Sequence, residues 1–168
     1  MKITLGNLNC ISENIDLNKY IEFREIVKKN MEHPEWLGDF TKKNLSNMIE
    51  NGTKIWIYYK EDEPVCSMMM IPSTKKDLEK FELDLDYKEV VDYGPIMVNP
   101  KFIGNGLQYQ MTKFLDEYCV NRGYKYVVTT VHPDNVYCLN NVNKLSMEYV
   151  DEKEFKRGPR KIYLKKLI

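Results

Sequence analysis

The stretch VNPKFIGNGLQYQMTKFL, Val98 to Leu115, joins a β-type run on its left to a helical repeat on its right through a turn carrying Gly104 and Gly106. A strand that hands over directly to a helix belongs to layered folds of both element types, and two glycines at the handover allow positive φ at the helix mouth. The first N–H groups of a helix have no intrahelical partner and lie at the positive end of its dipole, so an anion fits there and phosphate is the natural guest. A tight strand-to-helix connection, with glycine answering only to sterics, explains the pair equally well. Two other phosphate turns fail: a P-loop needs Gly-Lys-Ser/Thr, and a dinucleotide fingerprint needs a third glycine where Leu107, Gln108 and Tyr109 stand.

The chain of 168 residues is long enough for one domain with a full hydrophobic core, so residues 1–168 are read as a single domain. Lys plus Arg and Asp plus Glu both total 25, which leaves no field to draw the protein to nucleic acid or an anionic membrane. MKITLGNLNC lacks the apolar core of a signal peptide, and no run of about 18 apolar residues occurs, so a soluble, cytoplasmic protein is expected. Cys10, Cys66, Cys119 and Cys138 have no C-x-x-C spacing; neither a zinc site nor a disulfide framework is expected, and the thiols are read as reduced and mostly buried.

Periodicity organises the rest. KITLGNL predicts a first strand. In IDLNKYIEFREIVKKNM, Leu17, Tyr20, Ile21, Val27 and Met31 share a helical face behind Asp16 as start signal. TKKNLSNMIENG predicts a shorter helix ended by Gly52, and TKIWIYYK with PVCSMMMI predicts a hairpin across the turn EDEP. Pro72 to Lys88 carries weak signals, with a short helix over TKKDLEKF. EVVDYGPIMV is a strand in which Gly94 and Pro95 fit badly, so a bulge or local opening is expected there. Leu107, Met111, Phe114, Leu115 and Tyr118 continue a helix up to Gly123, and YKYVVTTV is a buried strand. HPDN then turns into the helix NVYCLNNVNKL, and MEYVDE with RKIYLKKL close a hairpin around KRGPR. This order predicts an α/β fold, layered in the α+β sense, with a mixed sheet and helices on its faces.

GPIMVNPKFIGNGLQYQMTKFL resembles the acetyl-coenzyme A motif of the GCN5-related N-acetyltransferase (GNAT) family, V-x-P-x-x-[R/Q]-G-x-G-x-[G/A], through Val98, Pro100, Gly104 and Gly106. Ile103 stands where Arg or Gln is usual, and Gln108 where Gly or Ala is usual. Downstream, VHPDNVYCLNNVNKLSMEY is similar to the family's H-P-x-N segment, with Asn135, Lys144, Leu145 and Met147 in register, Cys138 for Ser or Ala, and Ser146 for Gly. The resemblance runs by motif from about Val90 to Tyr149 and by element order over the rest.

What the resemblance implies is an acyl-CoA N-acyltransferase (GNAT) fold, with a mixed central sheet splayed between its fourth and fifth strands and helices on both faces. It implies an N-acetyltransferase that passes the acetyl group of acetyl-CoA to a primary amine of a small molecule or peptide, by direct attack in a ternary complex. The main chain from Ile103 through Gly104, Asn105, Gly106 and Leu107 to Gln108 would hold the pyrophosphate. Ile96, Met97 and Val98 would pair with the pantetheine arm, with the N–H of Met97 or Val98 facing the thioester carbonyl. Asn135 would meet the pantetheine amide, with Cys138 and Lys144 on the same cofactor segment; a helix cap explains Asn135 as well. Lys101, Lys113 and Lys144 would neutralise phosphates, although exposed helix lysines need no such reason.

The attacking amine must lose a proton, and two bases compete. Asp92 is where many relatives place one, provided burial raises its pKa; His132 titrates near neutrality unaided, though a histidine before proline also suits a turn. The tyrosine many relatives use as acid falls at Val142, leaving Tyr137 as substitute or as packing. The acceptor pocket falls to MEHPEWLGDF, to Pro72–Lys88 and to KRGPR, with Trp36, Phe40 and Tyr93 as aromatic walls unless Trp36 and Phe40 simply fill the core. No metal, nucleic-acid or membrane partner is expected, and the chain would act as a monomer or homodimer. Two other readings stay open: a CoA-binding regulatory module without turnover, suggested by Ile103, Gln108 and Val142, and a nucleotide-binding regulator using the same turn.

Overall fold

The computed structural model describes residues 2–167 and, of Tyr137, the backbone alone. In chain order the elements are β1 (Asn9–Ile11), α1 (Leu17–Lys29), α2 (Lys42–Glu50), β2 (Lys54–Lys60), β3 (Glu63–Pro72), α3 (Lys75–Phe81), β4 (Val90–Tyr93), β5 (Met97–Val98), α4 (Leu107–Asn121), β6 (Tyr126–Val131), α5 (Val136–Lys144), β7 (Glu148–Phe155) and β8 (Gly158–Lys166). Helix starts follow local chemistry. Asp16 accepts from the N–H groups of Asn18 and Lys19, and reciprocal capping boxes open α2 (Thr41 with Asn44) and α3 (Thr74 with Asp77).

The elements fall into two compact units. The first comprises the described residues up to Ile71 together with Gly94–Thr112. Its strands lie in the order β1-β2-β3-β5, all antiparallel. Tyr20, Phe23 and Val27 of α1 and Leu45 of α2 bury against Ile55, Ile57, Met69 and Met97 on one face of these strands. Each such side chain contributes about 1.5–3 kcal/mol by leaving water. Phe23 and Arg24 join the buried face of α1 beyond the residues that periodicity singles out.

KITLGNL does not form the expected strand. Leu5–Asn7 is a single 3-10 turn, and the first strand is Asn9–Ile11, paired with Ile57 to Tyr59 of β2. The reason is a set of side-chain partners that no local pattern reveals: Asn105 and Gln110 accept from the N–H groups of Ile3 and Leu5, and so satisfy this backbone without a ladder.

The second unit comprises Pro72–Tyr93 and the described residues from Lys113 onward. Its strands lie in the order β4-β6-β8-β7. β4 runs parallel to β6, with Val90 to Asp92 beside Tyr126 to Val128, and the other two pairings are antiparallel. Side chains alternate between faces along a strand, and this alternation sorts the helices. Val90, Val128 and Ile162 meet Leu78 of α3, whereas Val131 and Tyr163, an odd number of positions away, meet Val142 of α5. Helices therefore cover both faces. Phe114, expected on the buried side of α4, is 38% exposed, because Leu107, Met111, Leu115 and Cys119 take the inward stripe. Of the cysteines, Cys66 and Cys119 are buried, Cys138 is half-buried and Cys10 is exposed, and none of them forms a disulfide among the described residues. No described helix is long and apolar enough to cross a membrane.

Candidate functional site

The expected fourth strand is interrupted into β4 and β5. Pro95 has no N–H to donate, and Gly94 lies so close to β3 that a Cβ there would come within 2.8 Å of Ile71 Cδ1 and 2.9 Å of Met69 Sδ. The Gly94 N–H donates to the Met69 carbonyl at 2.9 Å, and regular pairing resumes only at Met97 and Val98, opposite Ser67 and Cys66. Asn99 then donates its N–H to the Val65 carbonyl at 2.8 Å. Backbone N–H groups alternate sides along a strand, so Met97 and Asn99 direct theirs toward β3 while that of Val98 projects from the opposite edge. β5 pairs with β3 alone among the described strands. Of the two residues, Val98 alone directs its N–H away from β3, with half-buried Ile96 preceding it on the same segment. Cys66, across the ladder from Val98, is buried, and burial followed by the charge of Cys10 pushes its thiol up to about 12.

Asn99 anchors the exit from β5. Its buried side chain donates to the Pro64 carbonyl at 2.8 Å and accepts from the Lys101 N–H at 3.1 Å, opening a 3-10 turn over Pro100–Phe102. Lys101 pairs with Glu63 at 2.7 Å. Gly104 and Gly106 follow with φ of 98° and 68°, in the region that glycine enters without steric cost. A Cβ on Gly104 would meet nothing within 4 Å, and one on Gly106 only Gln110 Nε2 at 4.0 Å, so the turn is open on that side.

Side chains hold the turn from behind. Asn105 donates to the Phe102 carbonyl at 2.8 Å and accepts from Ile3 at 3.0 Å; Gln110 donates to the Asn105 carbonyl at 3.0 Å and accepts from Leu5 at 3.1 Å. None of these bonds uses the donors at the start of α4, whose first intrahelical bond is Gln110 N–H to the Gly106 carbonyl at 3.1 Å. The N–H groups of Leu107, Gln108 and Tyr109 precede that bond and are the orphan donors of a helix start, so the turn can receive an anion through main chain alone. Ile103 contributes no side-chain donor and is 63% exposed.

In the second unit, Asn135 caps α5: its side-chain oxygen accepts from the Cys138 N–H at 3.2 Å, which leaves its NH2 end as the donor for any further partner. Cys138 packs with Val131, Val142 and Tyr163, and Lys144 is exposed in the last turn of α5. His132 accepts at Nδ1 from the Asp134 N–H at 3.1 Å, the bond of a turn residue. Val142 is buried at the position expected of the family's tyrosine. The backbone of Tyr137 lies in α5, and its side chain falls outside the described residues.

Burial, then the charge of Asp77, pushes the Asp92 carboxyl up to about 8. Tyr93, on the opposite face of β4, is buried and donates its hydroxyl to Asp116 at 2.8 Å, an acceptor that also binds Lys165. Its hydroxyl is spent internally.

In the first unit, Trp36 is half-buried and stacks on His33 at 4.2 Å, and His33 meets Glu35 at 3.0 Å. Phe40 packs against the α1 and α2 core and covers the guanidinium of Arg24 at 5.2 Å. Arg24 is the residue that pattern reading passed over. A signal for it exists, since it sits four residues after Tyr20 and three before Val27, a charge on an apolar helix face.

No protein-family model matches the chain, and no curated protein matches it in sequence. Solved structures match it over nearly its whole length. A Desulfovibrio desulfuricans protein described as an acetyltransferase of the GNAT family is 13% identical, with a TM-score of 0.66 over 96% of this chain and 99% of that one. Salmonella typhimurium yncA, described as an acetyltransferase and solved with its cofactor acetyl-CoA, is 12% identical, with a TM-score of 0.69 over 96% and 95%. The aminoglycoside acetyltransferase AAC(6')-Ib, solved with coenzyme A and kanamycin, is 16% identical, with a TM-score of 0.69 over 94% and 95%.

Proposed function

From a chain that folds as the GCN5-related N-acetyltransferases do, we propose an N-acetyltransferase that moves the acetyl group of acetyl-CoA onto a primary amine of a small molecule or peptide, the whole chain acting as one catalytic domain. The observation that carries this reading is β5, a two-residue strand whose second edge pairs with none of the described strands, running through Asn99 into an open glycine turn at the start of α4. That edge suits an extended amide-bearing arm, and the turn suits the diphosphate that such an arm carries in coenzyme A.

Each residue has a role in this reading. The orphan donors from Leu107 to Tyr109 bind diphosphate. The Val98 N–H stabilises the oxyanion that forms as the amine attacks the thioester carbonyl. Asp92 takes the proton from the amine, since its carboxyl titrates near the range in which a base must work. Asn135 donates through its NH2 to a carbonyl of the pantetheine arm. The departing thiol has an ordinary pKa of about 8.5 and leaves without a strong acid, which suits the buried Val142 where relatives keep a tyrosine. Trp36 is the acceptor-side aromatic; Tyr93 is left out because Asp116 holds its hydroxyl.

Ile103, apolar and exposed where the motif has Arg or Gln, favours a second reading, a CoA-binding module without turnover. Calorimetry with acetyl-CoA, followed by thiol release across polyamines, aminoglycosides, amino acids and peptides, separates the two. Binding with release supports the enzyme, binding without release across the panel supports the module, and no binding overturns both.

A further inference from the structure

Arg24 lies on α1 with only 2% of its surface exposed, and its Nε and Nη2 hydrogen-bond to no protein atom among the described residues. Its charge is met at ion-pair distance only: Nη2 is 3.7 Å from Oδ1 of Asp39, whose side chain is 79% exposed. Lys28, one turn along the same helix, takes the same carboxylate oxygen. The ring of Phe40, next to Asp39 in the loop between α1 and α2, covers the guanidinium. Tyr20, one turn before Arg24, and Ser67 of β3 are also buried with hydroxyls that hydrogen-bond to no protein atom among the described residues. Ser67 stands between Ile57 and Met97 in the ladders, and both of those residues pack in one cluster with Tyr20.

A guanidinium cannot shed its proton, and its planar fork is satisfied by a carboxylate held in two parallel bonds. Here two cations share one carboxylate, and that carboxylate stands at the surface while the guanidinium lies beneath. A buried cation left so poorly matched is costly, and its environment calls for another anion. We propose that Arg24 anchors the carboxylate of the amine acceptor, so that the acceptor is an amino acid or another amine bearing a carboxylate. Asp39 is the chain's own substitute, holding the loop between α1 and α2 over the guanidinium until the acceptor displaces it. The hydroxyls of Tyr20 and Ser67 serve the polar remainder of such a ligand, in the layer that packs against β5. The inference rests on the acetyltransferase reading and narrows its substrate class.

The test compares thiol release for amino acids, their carboxamides, and the amines left when the carboxyl group is removed. A charge-assisted contact of this kind predicts that the acids exceed both neutral sets in kcat/KM by roughly tenfold to a hundredfold. Arg24→Met erases that preference mainly through KM, with acetyl-CoA affinity by calorimetry unchanged. Asp39→Asn, which removes the competitor without touching the core, lowers KM for the acids several-fold and leaves the carboxamides as they were. This variant decides the matter if Arg24→Met does not fold. Turnover indifferent to the carboxylate, or a raised KM for acids in Asp39→Asn, overturns the inference alone and assigns the buried cluster to structural water. Wild-type protein that fails to bind acetyl-CoA overturns the acetyltransferase reading and this inference with it.

Discussion

The N–H of Ile3 donates to Oδ1 of Asn105 at 3.0 Å, so a residue 102 positions away braces the back of the glycine turn. Asn105→Asp keeps that acceptor, loses the NH2 donated to the Phe102 carbonyl, and sets a negative charge beside the proposed diphosphate seat. We expect acetyl-CoA affinity to fall about tenfold or more, with the loss shrinking as added salt screens the repulsion. Calorimetry at low and high ionic strength measures this, and an affinity that ignores both the substitution and the salt would make the turn a mere connector.

Gly104→Val and Gly106→Val test the same corner sterically. The cost to the fold is backbone strain, about 1–2 kcal/mol for a residue held at positive φ, because no atom lies within 4 Å of the space a Gly104 Cβ would enter. Melting temperature should drop by a few degrees while cofactor binding is lost, since the added carbons occupy the open side of the turn. A wild-type binding constant in either variant would remove the turn from the site.

Asp92 links activity and stability to pH with opposite signs. As a base it must be ionised, so kcat/KM should fall about tenfold per pH unit below its pKa of about 8, and Asp92→Asn should abolish that limb. Stability runs the other way. The folded pKa lies above the ordinary 3.8, so between that value and about 8 the folded chain holds a proton that the unfolded chain releases, and stability falls as pH rises through this window. Urea titrations at the two ends of the window should show the slope in the wild type and a flatter profile in Asp92→Asn. An unchanged pH–rate profile in the variant would transfer the role away from Asp92.

Tyr93→Phe separates packing from recognition. The hydroxyl donates to a carboxylate that Lys165 also holds, so its loss should cost about 1.5–3 kcal/mol of unfolding free energy. KM for the acceptor should not move. A raised KM with unchanged stability would return Tyr93 to the acceptor pocket.

Features whose cause is local were readable in the sequence. Asp16 caps its own first turn where a start signal was expected, and Gly94-Pro95 interrupts a strand by its own chemistry. The glycine turn was legible for the same reason: positive φ is a property of the residue that adopts it. What escaped depends on distant partners. The extended look of KITLGNL yields to Asn105 and Gln110, and the Tyr93 hydroxyl is claimed by Asp116 on a helix that begins after the glycine turn. Arg24 was visible as an exception to the apolar stripe, yet only packing reveals that two of its nitrogens find no hydrogen-bond acceptor among the described residues.

Cys66 stands across the ladder from Val98, a neighbour of the strand proposed to hold a reactive acyl group. Because burial keeps its thiol up to about 12, hardly any thiolate exists near neutrality to intercept that group. Low thiolate content and burial together disfavour self-acylation of this sulfur, and a reagent such as iodoacetamide should label exposed Cys10 ahead of it.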